Sequence, residues 1–400
     1  MTLMSRGAER PPPPGPRSAI FNSVMMAGYE CSTQRRKDGQ RLDLLETTGH
    51  ARWAQMDYQH LAQLDIRCAR DGLRWHLIER NAGRYDWSSF LTMLKAAQSQ
   101  NLQVVWDLCH YGVPDDLDIW RPAFVERFAR FAAAAARLIR EEGVDVPFYS
   151  PINEISFWAW AGGAVGYFDP NGVGRGQELK QQLTRASIAA IEAIREQAPN
   201  ARFVQCDPLI HVLPASRRPE DIESAERYRL SQFEAWDLLS GRQWPGLGGQ
   251  ESYLDIIGAN FYPHNQWYLA AGRIERGDRD YRPLAGMLKE LHTRYQRPLL
   301  ISETGAEDQD RVPWLDYIVE QVLLARQRGV PVEGICWYPF LDYPGWDDGR
   351  YCPAGVFGYP DGEGQRAAFH PLHMRLKTAR ERLCAPAHPD QTPNLAGQVP

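Results

Sequence analysis

The segment Ser150-Pro151-Ile152-Asn153-Glu154 is matched, much later in the chain, by Leu300-Ile301-Ser302-Glu303-Thr304-Gly305. Each is a short apolar run that stops at a glutamate. Short apolar runs bounded by turn residues are typical of strands buried in a parallel sheet. The carboxyl ends of parallel strands meet at one face, where barrel enzymes carry their chemistry. The two segments therefore predict a fold that brings two glutamates to the same face.

Similar apolar runs recur along the whole chain, and amphipathic helical stretches separate them. The predicted strands cover residues 24–31, 72–78, 102–109, 146–153, 201–206, 255–261, 298–303 and 332–338. The clearest helices cover residues 55–69, 88–100, 121–142, 179–197 and 312–328. Eight strands alternating with helices predict an α/β protein with a single-domain (β/α)8 TIM barrel. A doubly wound open sheet is the alternative, but no glycine-rich phosphate loop follows the first strand.

The composition is that of a globular protein. The 400 residues are 44% hydrophobic and 24% charged, and the net charge of -5 argues against a nucleic-acid partner. No apolar stretch is long enough to span a membrane. We predict a barrel over residues 20–385, a proline-rich flexible tail over residues 1–19 without a secretory signal, and a second tail over residues 386–400.

The seven cysteines show no metal-binding or disulfide spacing. Cys31, Cys109, Cys206 and Cys336 lie in or beside predicted strands, where free cysteine behaves as a small hydrophobic residue. This pattern predicts a reducing compartment, which favours the cytoplasm, and it predicts no metal and no other cofactor.

Polar side chains stand at the carboxyl end of nearly every predicted strand. A structural barrel does not need polar groups at these positions, so the set predicts an active site. A single glutamate at a strand end is more often a solvated loop residue, but two at equivalent ends favour function. The residues are Glu30, Arg74, Trp75, Trp106, Asp107, His110, Asn153, Glu154, Asp207, Asn260, Tyr262, His264, Glu303 and Trp337.

Two carboxyl groups across a scissile bond suit the hydrolysis of glycosides. We predict that Glu303 supplies the negative charge at the anomeric carbon and that Glu154 supplies the proton for the leaving oxygen. Arg74 would keep the nucleophile ionised by charge pairing, and Tyr262 would donate a hydrogen bond to it. The separation of the two carboxyl groups should be about 5–5.5 Å for retention and roughly 6.5–9.5 Å for inversion.

Further residues are predicted to bind the sugar. Asn153 is placed to bind the 2-hydroxyl and His110 a neighbouring hydroxyl. Aromatic rings pack well against the flat C–H faces of sugars. The candidates for such contacts are Trp106, Trp158, Trp160, Trp337 and Trp346.

Taken in order along the barrel, these segments resemble glycoside hydrolase clan A, and most closely family 1, the β-glucosidase and β-galactosidase group. The resemblance is carried by Asn153-Glu154, Ile301-Ser302-Glu303-Thr304-Gly305, Leu73-Arg74-Trp75-His76-Leu77-Ile78-Glu79-Arg80, Gly83-Arg84-Tyr85-Asp86-Trp87-Ser88, Leu108-Cys109-His110-Tyr111-Gly112-Val113-Pro114, Asn260-Phe261-Tyr262 and the stretch from Trp337 to Trp346. It implies a small-molecule carbohydrate substrate and retention through a covalent glycosyl-enzyme. It also implies that Arg74 contacts the nucleophile.

The chain departs from the family pattern at several points. Ile152 and Ile155 flank Asn-Glu where the family usually has Thr and Pro. Gly345, just before Trp346, replaces the glutamate that holds the distal hydroxyls of the glycone. The first-strand glutamine that shares this task has no clear match, and Glu30 or Gln34 could substitute for it. The identities of the glycone and the aglycone therefore stay open. The last loop lacks a lysine-containing motif for phosphate recognition, so a 6-phosphoglycoside substrate is disfavoured.

Three other functions remain as alternatives, and the oligomeric state cannot be read from the chain. A transglycosylase would use the same two glutamates. A carbohydrate-binding barrel without catalysis would not need all of these polar residues. A metal-dependent hydrolase could draw on Asp107, His110, His211 or His264, but the first strand lacks a His-x-His motif.

Overall fold

The structure is a computed structural model, and it describes residue 18 and residues 20–385. Eight parallel strands form a closed barrel in chain order, β1 next to β2 and so on round to β8, which pairs again with β1. Met25 pairs with Ile335, and Ala27 pairs with Trp337, across this closing seam. The predicted (β/α)8 barrel is confirmed. The strands are β1 Met25–Gly28, β2 Cys68–Gly72, β3 Gln103–Asp107, β4 Phe148–Ser150, β5 Arg202–Pro208, β6 Ile256–Asn260, β7 Leu299–Thr304 and β8 Val332–Trp337.

Helices surround the barrel and connect successive strands. The long helix at Pro122–Glu141 has proline in its first turn, where a missing N–H costs no hydrogen bond. Its phenylalanines at 124, 128 and 131 are fully buried against the barrel. The α-helices are Leu44–Thr47, His50–Gln63, Trp75–Ile78, Ser88–Ser99, Pro122–Glu141, Ile155–Trp158, Gly176–Gln197, Pro219–Leu230, Glu234–Leu239, Leu284–Tyr295, Arg311–Gln327 and His370–Cys384.

Shorter elements decorate the loops. A π-helical turn follows the fourth strand at Ala159–Ala164. Short 3-10 turns lie at Ser231–Phe233, Pro245–Leu247, Glu251–Tyr253 and Asp308–Asp310. Three two-stranded ribbons pair Tyr343–Pro344 with Tyr351–Cys352, Phe357–Pro360 with Arg366–Ala368, and His211–Leu213 with Gln266–Tyr268.

Two separate apolar clusters hold the layers together. The larger lies between the strands and the helices, and the smaller fills the inside of the barrel. Met26, Cys68, Val105 and Leu300 belong to the inner cluster and are fully buried. The barrel is therefore filled by side chains at its base, as this fold requires, and a site can form only at its carboxyl end.

The second strand differs from the prediction. Residues 72–78 were predicted as this strand, but it runs over Cys68–Gly72, and Trp75–Ile78 is a short helix. The prediction was wrong because it followed the apolar residues, whereas the strand contains Arg70 and Asp71. Both side chains are completely buried and have charged partners, Arg70 inside the barrel and Asp71 against the surrounding helix layer, so both are tolerated in the interior.

The predicted tails at residues 1–19 and 386–400 lie, apart from Ser18, outside the described residues. Over the described part of the chain, no helix combines the length and the apolar character needed to cross a membrane.

Candidate active site

A cleft of about 1220 Å³ contains the carboxyl groups of both predicted catalytic glutamates. Its walls come from the loops that follow the barrel strands. Glu30, His110, Glu154, Tyr262, Glu303 and Trp346 line it. Six of the nine predicted site residues thus meet in one cavity, and Asn153 lies buried directly beside it. The structure places the remaining two, Arg74 and Trp337, elsewhere.

Glu154 follows the fourth strand on a tight turn. Its φ of 45° lies in the left-handed region, which is costly for a residue other than glycine and is typical of functional sites. Two backbone hydrogen bonds fix the turn, from Asn153 N–H to Cys109 O at 3.0 Å and from Glu154 N–H to Cys206 O at 3.0 Å. The neighbouring strands therefore hold the carboxyl group in place.

The carboxyl group of Glu154 has only neutral hydrogen-bond partners. The Tyr111 hydroxyl donates to Oε2 at 2.6 Å, and the Asn260 amide donates to Oε1 at 2.9 Å. Burial, and then the negative charge of Glu303, raise the pKa of Glu154 to about 8, although these two hydrogen bonds act in the opposite direction. Glu154 is therefore protonated at neutral pH, as a general acid must be.

Glu303, at the end of the seventh strand, has a cationic partner instead. Arg70 Nη1 donates to its Oε1 at 2.6 Å, and the Tyr262 hydroxyl donates to its Oε2 at 2.9 Å. The side chain of Glu303 is only 6% exposed. Each oxygen of this carboxylate therefore accepts one hydrogen bond, one from a guanidinium and one from a phenol, and the two contacts fix its orientation in the cleft.

Arg70, and not Arg74, contacts Glu303, so the prediction for Arg74 was wrong. Arg74 lies beyond the end of the second strand and pairs with Asp43 at 3.2 Å and Glu46 at 3.1 Å. Arg70 lies on the strand itself and points into the barrel, where it is fully buried. The shift of the strand toward the N-terminus accounts for the difference.

Arg70 also organises the residues next to Glu303. Its Nε and Nη2 donate to the two carboxylate oxygens of Asp107 at 3.0 and 2.7 Å. Its Nη2 also donates to Asn153 Oδ1 at 2.6 Å. One buried guanidinium therefore fixes Asp107, Asn153 and Glu303 relative to one another.

The contact with Arg70 determines the hydrogen-bonding roles of Asn153 and His110. Because Arg70 can only donate, the Asn153 amide nitrogen must face away from it, toward His110 Nε2 at 2.9 Å. His110 Nε2 therefore accepts, and the ring proton is on Nδ1, 2.9 Å from Asp107 Oδ2.

The aromatic residues of the cleft were predicted only in part. Trp346 and Trp160 line it, as expected. Trp337 does not, because its indole is fully buried and donates to Ala354 O at 3.1 Å. Tyr338, the next residue, lines the cleft instead, and its ring is stacked near His110. The other two candidates, Trp106 and Trp158, are buried and do not line the cleft either.

The sequence analysis missed three residues: Arg70, Tyr111 and Tyr338. Tyr111 directly follows His110, and its φ of 67° is an unusual conformation for a bulky residue. Its hydroxyl contacts both Glu154 and Asn153. The buried position of Arg70 gave no signal that a search for apolar runs could detect.

Cys31, Asp107 and His110 come close enough together to suggest a metal site, because their donor atoms lie within 4.8 Å of one another. The donor set fits a metal poorly. Both oxygens of Asp107 already accept hydrogen bonds from Arg70, whose positive charge would repel a cation. His110 Nδ1 carries a proton in the arrangement described above. We therefore assign these residues to the hydrogen-bond network around Arg70.

No protein-family model matches the chain, and no curated protein matches it either. Solved structures do. The family 1 β-glucosidase from Thermotoga maritima superposes with a TM-score of 0.73 at 15% identity, and the superposition covers 92% of this chain and 99% of the glucosidase. The β-glucosidase from the same organism in complex with glucoimidazole gives 0.74 at 17%, with 93% and 98% covered. A mutant rice β-glucosidase in a covalent complex with Glc gives 0.70 at 14%, with 89% and 97% covered. At these identities the similarity establishes a shared fold, and the predicted resemblance to family 1 is confirmed at that level.

Proposed function

We propose that the protein is a retaining β-glycosidase that hydrolyses small soluble glycosides by double displacement. The observation that carries the proposal is the contrast between two buried carboxyl groups in one cleft. Glu303 is paired with a guanidinium, whereas Glu154 has only neutral partners and a pKa raised to about 8. Two titratable groups whose environments favour opposite protonation states are the arrangement expected of a nucleophile and an acid. The glucosidases of similar fold support the same class of reaction.

In this proposal each residue has a role in one of two steps. In the first, a Glu303 carboxylate oxygen attacks the anomeric carbon while the Glu154 proton passes to the departing glycosidic oxygen. In the second, Glu154 takes a proton from water, and the resulting hydroxide breaks the bond between Glu303 and the sugar. Asn153 and His110 would bind hydroxyls beside the anomeric carbon once a sugar displaces the hydrogen bond between their own side chains, and Trp346 packs against the sugar or its aglycone. No cofactor takes part in either step.

The test compares two variants on two substrates, a 4-nitrophenyl β-glycoside and an alkyl β-glycoside of the same sugar. Glu303→Ala should abolish turnover of both without unfolding the protein. Glu154→Ala should retain nitrophenol release in the first step, because that leaving group needs no proton. Glu320→Ala, on the exposed face of the helix at Arg311–Gln327, is the matched control.

Normal turnover by Glu303→Ala would refute the assignment of the nucleophile. The anomer formed first, observed by proton NMR, decides between retention and inversion. Product analysis with added acceptor sugar separates hydrolysis from transglycosylation. A folded wild-type protein that binds glycosides and turns none over would instead support the non-catalytic carbohydrate-binding barrel.

We also propose that the protein works in the cytoplasm. The support is the state of the cysteines, since all seven have free thiols, and six are buried. Free buried thiols are typical of reducing compartments. Treatment of the purified protein with a thiol-specific reagent under denaturing conditions should label all seven.

A further inference from the structure

Glu30 is a carboxylate in the cleft that the double displacement does not use. It follows the first strand and is only 9% exposed. Its Oε1 accepts from the Ser32 backbone N–H at 3.1 Å and from the Ser32 hydroxyl, and it lies 3.4 Å from the Tyr338 hydroxyl. Its Oε2 has no partner among the residues that the structure describes, although Glu30 lines the cleft. One oxygen is therefore held by the protein, and the other is left for a ligand.

The charge of Glu30 is not neutralised by the protein. Within residues 20–385, no lysine or arginine forms an ion pair with it. The nearest ring, His110, has Nε2 at 4.0 Å from Oε1, and that nitrogen already accepts a hydrogen bond from the Asn153 amide. Burial, and to a smaller extent the charge of Glu303, raise the pKa of Glu30, whereas His110 and the hydrogen bonds from Ser32 act in the opposite direction. A buried carboxylate without a cation is costly, and a cationic ligand would relieve that cost.

The position of Glu30 indicates which part of a sugar it would contact. Asn153, beside Glu154, is placed for the hydroxyl on carbon 2. His110 follows at 2.9 Å from the Asn153 amide, and Glu30 lies beyond His110. With Asn153 and His110 at the hydroxyls proposed above, Glu30 is the next polar side chain in this series, so it would contact the substituent on carbon 3 or carbon 4. Gly345 offers no second side chain there to share the contact.

We propose that the cleft selects an aminodeoxy sugar whose ammonium group, on carbon 3 or carbon 4, binds to Glu30. The ammonium supplies both a positive charge for the unpaired carboxylate and hydrogen-bond donors for Oε2. A neutral hydroxyl supplies only the donor. This inference rests on the proposed function, because it takes the occupant of the cleft to be a glycoside.

The test measures binding separately from turnover. Glu303→Gln protein, which cannot form the covalent intermediate, is titrated calorimetrically at neutral pH. The ligands are 4-nitrophenyl β-glucoside and its 2-amino, 3-amino and 4-amino deoxy analogues. A hydrogen bond to a charged group is worth about 1.5–3 kcal/mol, so the 3-amino or 4-amino analogue should bind roughly tenfold or more tightly than the glucoside. The 2-amino analogue should show no such preference.

The decisive variant adds Glu30→Gln, which keeps the shape and removes the charge. It should reduce the ratio of amino to hydroxyl affinity by roughly tenfold or more. Asp310→Asn, which removes one exposed charge from the rim of the same cleft, is the control and should leave the ratio unchanged.

The outcomes distinguish this inference from the proposed function. Equal affinities for all four glycosides, no binding of any, or a preference that survives Glu30→Gln would overturn the inference. Tight, Glu30-dependent binding of an amino analogue that the wild-type protein does not hydrolyse would keep the inference and overturn the proposed function. Turnover of the glucoside without a preference for an amine would overturn the inference and keep the proposed function.

Discussion

Replacing Arg70 by methionine should damage both stability and activity, whereas the same change at Arg74 should damage neither strongly. Arg70 is fully buried and pairs with Asp107 and Glu303, whose side chains are 0% and 6% exposed. Removing one partner of a buried ion pair costs about 3–5 kcal/mol, because the other charge stays buried and unpaired. The Arg74 side chain is 8% exposed, but water reaches both of its partners, which are 19% and 71% exposed, so its loss should cost about 1 kcal/mol.

These energies translate into measurable shifts of the melting temperature. With an unfolding entropy of about 2.1 cal/mol/K per residue over roughly 370 ordered residues, 1 kcal/mol corresponds to about 1.3 °C. Arg70→Met should therefore lower Tm by about 4–6 °C, and Arg74→Met by about 1 °C, in scanning calorimetry. Because Arg70 also orients Glu303 and Asn153, kcat/KM should fall by ~100-fold or more in Arg70→Met.

The comparison can fail in a clear way. If Arg74→Met lost as much activity as Arg70→Met, the nucleophile would be paired as the sequence first suggested, and the second strand would be misplaced. Arg70→Lys gives an independent check. It restores the charge but not the planar fork that contacts three partners, so stability should recover more than kcat/KM does.

Three further predictions follow from single groups. Burial and a neighbouring carboxylate raise the pKa of Glu154 to about 8, so kcat/KM for an alkyl glycoside should fall as the pH rises through about 8. The fall should be smaller for a nitrophenyl glycoside, whose leaving group needs no proton. Profiles of kcat/KM against pH for both substrates check this. Burial alone would lower the pKa of His50, but Asp71 and Asp57 raise it to about 9. The charged form of His50 therefore stabilises the fold fully below about pH 6.5, and this stabilisation is lost as the pH rises through about 9. The free energies of unfolding of wild type and His50→Gln, measured by denaturant titration, should converge at high pH. Tyr262→Phe removes the hydrogen bond of 2.9 Å to the nucleophile, which is worth about 1.5–3 kcal/mol and should lower kcat/KM by roughly 10–100-fold in steady-state assays.

The sequence predicted the barrel well because most of its strands are buried on both faces. Runs such as residues 298–303 and 332–338 are nearly continuous in apolar residues, which is the pattern of a covered parallel sheet. The first is observed at Leu299–Thr304, one residue further along at each end, and the second at Val332–Trp337, one residue shorter at its carboxyl end. Where only packing determines a strand, the apolar pattern is sufficient to find it.

The second strand shows where this pattern fails. Cys68–Gly72 contains Arg70 and Asp71, which look like loop residues until their partners are known. Asp71 accepts hydrogen bonds from His50 at 2.8 Å and from Tyr58 at 2.5 Å. Because these partners come from a helix earlier in the chain, only the assembled fold shows that the charges are satisfied. The error in the strand then became an error in the site, since Arg74 took the place of Arg70.

The sequence best predicted which residues line the cleft where these lie at a strand end, as for Glu154, Glu303 and Tyr262. It was least accurate where a neighbour one position away has the role, as for Tyr338 beside Trp337. Successive residues of a strand point to opposite faces, so an error of one position exchanges the core for the cleft. Chemical type alone cannot resolve this, because tryptophan and tyrosine both suit a sugar face.

The different surroundings of the two glutamates have a cause that no local sequence contains. Glu303 lies at the end of a barrel strand, Glu154 lies in the turn after another, and both face the same cleft. Their difference arises from the partners: a guanidinium from the second strand for Glu303, and a phenol from the third strand and an amide from the sixth for Glu154. Moving the cation from one carboxyl to the other would exchange acid and nucleophile without changing either glutamate. The roles are therefore a property of the closed barrel, which brings strands distant in sequence into contact around one cavity.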